Sequence, residues 1–503
     1  MTQNADLDAP NPDAEHGVKP WPALFALCLG FFMILVDTTI VTVATPAIIT
    51  DLDADVNSVV WVTSAYLLAY AVPVLITGRL GDRYGPKNLY LIGLTLFTAA
   101  SLWCGFTSSV EMLIVARVFQ GFGASMMTPQ TMSVITRIFA AERRGQAMAL
   151  WGATAGVATL VGPILGGILV DIAGWEWIFF INVPVGLVGF VLAWRLVPSL
   201  TTHSHRFDWL GVALSGIGMF FLVFGIQEGH QFDWNGWVIS SIAGGLVVLG
   251  AFLYWQSKNS AEPLVPLRLF SDRNFSVSNF AISTMSFTAT AMGFPLMIWA
   301  QVVRGLSPTE SALLMVPMAV TSIVMAPIVG RFTDKVHPRL LCGAGFLVTA
   351  ISLFWLAAVL DADIATWQIL VPMAVLGIGM SGIWAPLAAT ATRNLPMNLA
   401  GAGSGVYNAT RQVGAVLGSA AIAVLMDARL AQHLPGVAAG SPEAGGGGAL
   451  PAAAHVPFSE AMAESMLLPA GVMVVGLLSV LLFVTPRHMA GRASAPEATQ
   501  VGV

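Results

Sequence analysis

Read for polarity alone, the chain alternates long apolar runs with short polar breaks. A helix needs about twenty mostly apolar residues to cross a bilayer. Fourteen runs meet that length, near residues 22–46, 58–77, 88–107, 111–136, 146–170, 177–197, 208–227, 237–257, 275–299, 309–330, 339–360, 367–391, 402–426 and 464–485. The pattern therefore predicts an all-α polytopic membrane protein with fourteen transmembrane helices. The break at 427–463 contains GSPEAGGGG and is expected to be a long, mobile external loop. Residues 1–20 are polar and acidic, expected to be a disordered tail. They lack a basic n-region, and the apolar run from Trp21 is too long for a cleaved signal, so no cleaved leader is expected.

Composition agrees with lipid as the main solvent. Of 503 residues, 56% are hydrophobic and 10% charged, against about 25% charged in a soluble domain. A net charge of −5 with no basic block argues against a nucleic-acid partner. Cys28, Cys104 and Cys342 fall in three separate apolar runs, a use that suits packing rather than a disulfide framework.

The basic residues orient the spans. With the N-terminus inside, 18 of the 22 Lys and Arg residues fall in cytoplasmic segments. Arg304 and Arg429 lie outside, and Arg117 and Arg411 lie within spans. One missed helix would invert every later loop and destroy this bias. Both termini are therefore expected in the cytoplasm.

The chain also repeats itself. GRLGDRYGPK (78–87) after span 2 matches GRFTDKVHPR (330–339) after span 10, at an offset of 252. GPILGG (162–167) in span 5 matches GAVLGS (414–419) in span 13 at the same offset. A shared offset points to a tandem repeat that keeps its orientation, as in transporters that hold cargo between two parallel halves. The expected units are a six-helix bundle at 21–199, an inserted pair of helices at 200–273, a second six-helix bundle at 274–486 and a tail at 487–503.

Polar chemistry is sparse. Gly78, Gly81 and Gly85 allow close helix approach and a sharp turn. Asp82 can face the N-terminal end of a neighbouring helix, while Arg83 and Lys87 can pair with acids. The motif, with Arg331 and Asp334 in its repeat, reads as a cytoplasmic latch between halves; a simple positive topology anchor is the alternative. Every acid except Asp37 lies in a tail, in a loop or near a span end, and no histidine lies at a span centre. An intramembrane acid costs about 2.5–3.5 kcal/mol on insertion scales and is functional by default. Burial favours the protonated form of a carboxyl and a nearby cation favours the ionised form, so a balanced group can load and release a proton. Arg117 is the candidate cation; a static pair that fixes packing is the alternative. Arg411 is the cation buried in the second half, with no buried acid there to match it; it either holds an anionic cargo or lipid headgroup or bonds to Asn408, Gln412 and carbonyls. Gly162, Pro163, Gly166 and Gly167 let span 5 act as a pliable seam between halves; ordinary small-residue packing is the alternative. Polar and aromatic side chains at possible cavity positions are Trp61, Tyr66, Gln120, Trp151, Trp384, Asn408 and Arg411. There is no G-x-x-x-x-G-K-[ST] and no H-E-x-x-H, and GAGSG (401–405) opens an apolar span with no strand before it, so an ATP-driven pump or a membrane enzyme is disfavoured.

VDTTIVTVATP (36–46), the Gly78–Lys87 motif, Arg117 with Gln120, Gly121 and Gly123, and Gly162–Pro163–Gly167 together resemble the major facilitator superfamily. More narrowly they resemble its fourteen-span drug:proton antiporters of the EmrB/QacA type, from the first span to the last. Thr42 and Thr45 depart from that pattern in span 1, Pro86 in the latch, Ala158 in span 5 and Glu176 before span 6. The resemblance implies a secondary active transporter, not an enzyme, in the cell membrane. It implies export of small amphipathic molecules, often cationic, against protons, with no cofactor beyond the proton gradient. Asp37 and Arg117 would couple proton and cargo, and the latch would gate. An exporter or flippase of an endogenous lipid or metabolite is the alternative reading. A non-transporting scaffold on the same fold gains nothing from keeping Asp37. A monomer in contact with membrane lipid is expected.

Overall fold

A computed structural model describes residues 19–485 except 55, 141–142, 203–207, 230–231, 233, 260–262, 397–398 and 435–449. The tails and the GSPEAGGGG stretch lie outside the described residues. Described residues form helices and turns, without strands.

The first half is built from α1 (Pro20–Asp51), α2 (Val56–Ala71), α3 (Val74–Tyr84), α4 (Pro86–Gly105), α5 (Val110–Ile138), α6 (Arg144–Ala173), the single turn α7 (Trp177–Phe180) and α8 (Asn182–Leu196). Two helices follow, α9 (Trp209–Gln227) and α10 (Gly236–Lys258), packed on each other. The second half holds α11 (Arg273–Ala291), α12 (Gly293–Val302), α13 (Pro308–Leu313), α14 (Val316–Thr333), α15 (Pro338–Val359), α16 (Thr366–Arg393), α17 (Ala400–His433) and α18 (His455–Val480). Twelve helical stretches are long and apolar enough to cross a membrane, or thirteen with the pair Trp61–Ala71 and Val74–Tyr84, bent by 45°, taken as one span. The thirty-residue α6 occupies the position expected for span 5.

Local chemistry sets most boundaries. Ser109 caps α5 by accepting from the Met112 N–H, and Asn235 caps α10 through Trp237 and Val238. Ser307 and Glu310 form a reciprocal capping box at α13. The bend between α2 and α3 falls at Pro73, which has no N–H to give to the preceding turn. Gly85, at φ +91°, ends α3 and lets Pro86 open α4 at once; Gly174, at φ +103°, ends α6.

The halves repeat in their packing. α1 lies on α6 as α11 lies on α17, α4 on α5 as α15 on α16, and α2 on α5 as α14 on α16. The halves meet where α3 crosses α17 and where α14 crosses α6. Small residues make these crossings close. A Cβ on Gly78 would stand 2.7 Å from the Gly401 carbonyl oxygen, and one on Gly330 would stand 2.7 Å from the Ala149 Cβ.

Two expectations need correction. Gly78 to Arg83 were expected in a loop but form the last turns of α3, where Gly78 and Asp82 meet the start of α17 in the other half and Gly85 ends the helix. α17 runs on to His433 and α18 starts at His455, so the expected loop 427–463 is helical at both ends. There Arg429 and His433 meet Glu464 and Glu460 at 3.0 and 3.3 Å, contacts that keep both helices wound beyond their apolar stretches.

Candidate functional site

α5 places Arg117 and Gln120 on one face by their i, i+3 spacing. α1 brings Asp37 against that face, and α2, α4 and α8 close around it. The Asp37 Oδ2 accepts from the Arg117 Nη1. The other oxygen accepts from the Gln120 Nε2 at 2.8 Å and the Asn182 Nδ2 at 3.0 Å. The same Arg117 Nη1 donates to the Gln120 Oε1 at 2.6 Å, and Nε donates to the Val62 carbonyl at 3.1 Å. Gln120 Nε2 also reaches the Ser101 Oγ at 2.7 Å. The guanidinium lies over the Tyr66 ring, 4.0 Å from its centroid, and the Tyr66 hydroxyl donates to the Ile34 carbonyl.

Asp37, Arg117, Gln120, Tyr66 and Ser101 are all 0% exposed. Taking two charges out of water costs several kcal/mol per ion, and a well-packed apolar pair would often be at least as stable. Stability alone therefore does not explain this network.

A second constellation lies where the halves cross. Neither Leu399, before α17, nor Arg143, before α6, offers a side-chain cap, and a helix start leaves four N–H groups without intrahelical partners. Each missing cap comes from the opposite half. Asp82 accepts from the Gly401 and Ala402 N–H groups of α17 at 2.9 and 3.0 Å. Asp334 accepts from the Gly145 N–H of α6 at 3.1 Å and from the Arg393 Nη2 at 2.6 Å. Arg144 adds bonds to the Thr392 and Arg393 carbonyls. A negative charge at a helix N-terminus is further favoured by the helix dipole. Both crossings are closed in this conformer, with Asp82 and Asp334 buried.

The other expected residues divide. Arg83 is half-buried beside the Tyr84 ring, and Lys87 donates to the Trp194 carbonyl at 2.7 Å, tying α4 to α8. Arg331 is exposed, and Arg393 is the cation that meets Asp334. Gly162 packs against Val36 and Thr39, beside Asp37, and Gly414 packs against Ser283 in the repeat. Pro163, Gly166 and Gly167 lie in the same helix, α6. Trp61 packs on Phe224 of α9. Trp151 stacks on Phe31, and Trp384 lies beside Gly152. Asn408 donates to the Ser404 carbonyl and faces Met132 across the halves. Arg411 meets the Tyr70 hydroxyl of the first half at 3.2 Å. Cys28, Cys104 and Cys342 are free and buried. Sequence reasoning missed Asn182, Ser101 and Arg393; the signal for Asn182 was a lone amide in the apolar run 177–197. Among the described residues, no cluster of His, Cys, Asp and Glu could hold a metal.

The family model of the Major Facilitator Superfamily matches residues 27–419. An uncharacterized MFS-type transporter of Mycobacterium tuberculosis, Rv1250, is 53% identical over 93% of this chain and 81% of its own length. The tetracenomycin C resistance and export protein of Streptomyces glaucescens is 33% identical over 83% of this chain and 78% of its own. Among solved structures, the MFS proton:xylose symporter XylE superposes with a TM-score of 0.62 at 14% identity, covering 91% of this chain and 95% of that one. That likeness carries the fold alone.

Proposed function

This chain belongs to the major facilitator superfamily as a multi-pass membrane transporter, and we propose that it exports amphipathic molecules in exchange for protons. The observation that carries the reading is Asp37: a mid-span carboxyl, sealed from solvent and held by a cation and two amides. The similarity to a tetracenomycin C export protein supports export as the direction.

In this scheme α6 completes fourteen spans, and the basic bias of the loops sets both termini in the cytoplasm. The Asp82 and Asp334 crossings then form the cytoplasmic latch, and this conformer is closed on that side. Protonation of Asp37 frees Arg117, which stacks on α2 through Tyr66 and bonds to Val62. α2 leads through the Pro73 bend into α3, the latch helix, so the proton site and the latch share one bent span. No cofactor takes part, and one chain suffices.

The driving force is adequate. One inward proton supplies about 2.3 kcal/mol per 100 mV and about 1.4 kcal/mol per pH unit. Together they sustain an outward gradient of a neutral cargo of about 500-fold. Asp37→Asn in proteoliposomes tests the reading: pH-driven uphill export should be lost while cargo still binds and equilibrates. Undiminished uphill export by that variant would overturn it.

A further inference from the structure

Away from the span ends, the described spans bury three charges: Asp37, Arg117 and Arg411. The first two neutralise each other. Arg117 is 0% exposed, shared among Asp37, Gln120, Val62 and the Tyr66 ring. Arg411 is different. Its hydrogen-bond partner among the described residues is a neutral hydroxyl, that of Tyr70, and its buried Nε has no partner. It keeps 9% exposure at the junction of the two halves. A guanidinium is a fork of donors without acceptors, and its natural complement is a carboxylate, phenolate, sulfonate or phosphate. A buried cation without a counter-anion is costly, and a ligand that brings the anion recovers that cost on binding.

We propose that Arg411 is the recognition group for an acidic group on the transported molecule, so that the site takes amphiphilic organic anions in preference to cations. This deepens the export reading and, as a statement about cargo, rests on it. It departs from the expectation of cationic cargo that the family resemblance carried, because the uncompensated charge at the junction is positive and repels a cation in a medium of low dielectric.

The anion would reach Arg411 in place of the Tyr70 hydroxyl. Tyr70 then keeps its bond to Thr128 at 3.0 Å. Its ring lies 6.2 Å from that of Tyr66, on which Arg117 stacks. Cargo in the second half and the proton site in the first are thus joined through two adjacent side chains of α2.

The test uses the full chain in nanodiscs and two xanthene dyes of opposite charge, fluorescein and rhodamine 6G, with binding read by fluorescence anisotropy. Wild type should bind fluorescein more tightly. Arg411→Gln should weaken fluorescein by about tenfold or more, the range of a lost charge-assisted bond, and leave rhodamine 6G unchanged or tighter. Arg411→Lys should restore part of the fluorescein affinity, and Tyr70→Phe should preserve it, which separates recognition from folding. Tighter binding of rhodamine 6G by wild type, or an equal effect of Arg411→Gln on both dyes, overturns the proposal. Adding phosphatidylglycerol to phosphatidylcholine discs distinguishes sources: Arg411-dependent competition assigns the anion to a lipid headgroup, and no competition to a water-borne acid. Loss of uphill export in Asp37→Asn is read separately. Fluorescein binding that depends on Arg411 without any proton-driven export would sink the export reading and leave this one standing.

Discussion

Replacing Asp82 by Asn should release one side of the latch. The carboxylate accepts two backbone N–H groups from the uncapped start of α17. An amide of the same size keeps one acceptor, but turns its NH₂ toward the other donor. The loss is one charge-assisted hydrogen bond, about 1.5–3 kcal/mol, plus a helix-dipole interaction of about 0.3–1 kcal/mol. Relief of the buried charge offsets part of this, so about 2–3 kcal/mol is expected. At about 1.4 kcal/mol per tenfold, the closed conformer loses roughly 30- to 140-fold in population relative to the open one. Spin labels at Tyr84 and Leu340, exposed near the ends of the two repeated motifs, would report the opening as a longer distance. The three native cysteines are buried and leave little background labelling. Asp334→Asn should act in the same direction through α6, and the double variant should open the seam further than either change alone. Turnover should fall while cargo affinity changes little. An unchanged distance distribution in both single variants would refute the reciprocal-cap reasoning.

Other consequences can be checked directly. Gly78→Ala puts a Cβ 2.7 Å from the Gly401 carbonyl oxygen and 2.9 Å from the Gly405 Cα, both backbone; overpacking of this kind costs about 1–3 kcal/mol, so the variant should bind cargo yet fail to close, visible as protease access to the seam. Arg117→Ala should shift the pH optimum of transport in reconstituted vesicles; an unmoved optimum would take Arg117 out of proton coupling. Burial pushes the carboxyl of Glu228, in the turn after α9, above its usual range, against a smaller opposing effect of a hydrogen bond with Ser64. The raised value means that folding favours the protonated form, so its contribution to stability is full at low pH and lost as pH rises through the shifted value. Glu228→Gln should therefore raise the thermal midpoint at neutral pH and match wild type near pH 4; a gap that widens on acidification would contradict this.

Much of this protein was legible in one dimension. Apolar runs of span length, the helix-ending glycines and the 252-residue offset follow from interactions within a helix or between a helix and lipid, which composition and spacing report directly. The isolation of Asp37 was legible for the same reason, since a charge in an apolar run has no local explanation. Which atoms complete the site was a matter of tertiary structure. Asn182 is 145 residues from Asp37, and the caps of α17 and α6 come from 319 and 189 residues away. Leu399 and Arg143 say only that a cap is missing, not what supplies it. Likewise helix rotation, which lipid-facing and core-facing apolar residues specify only jointly, decides which cation turns inward: Arg393 meets Asp334 and Arg331 stays exposed. The sequence by itself determined the helices and their repetition. The packing of the two halves decided which charges are shared between them and left Arg411 facing the junction with a neutral partner.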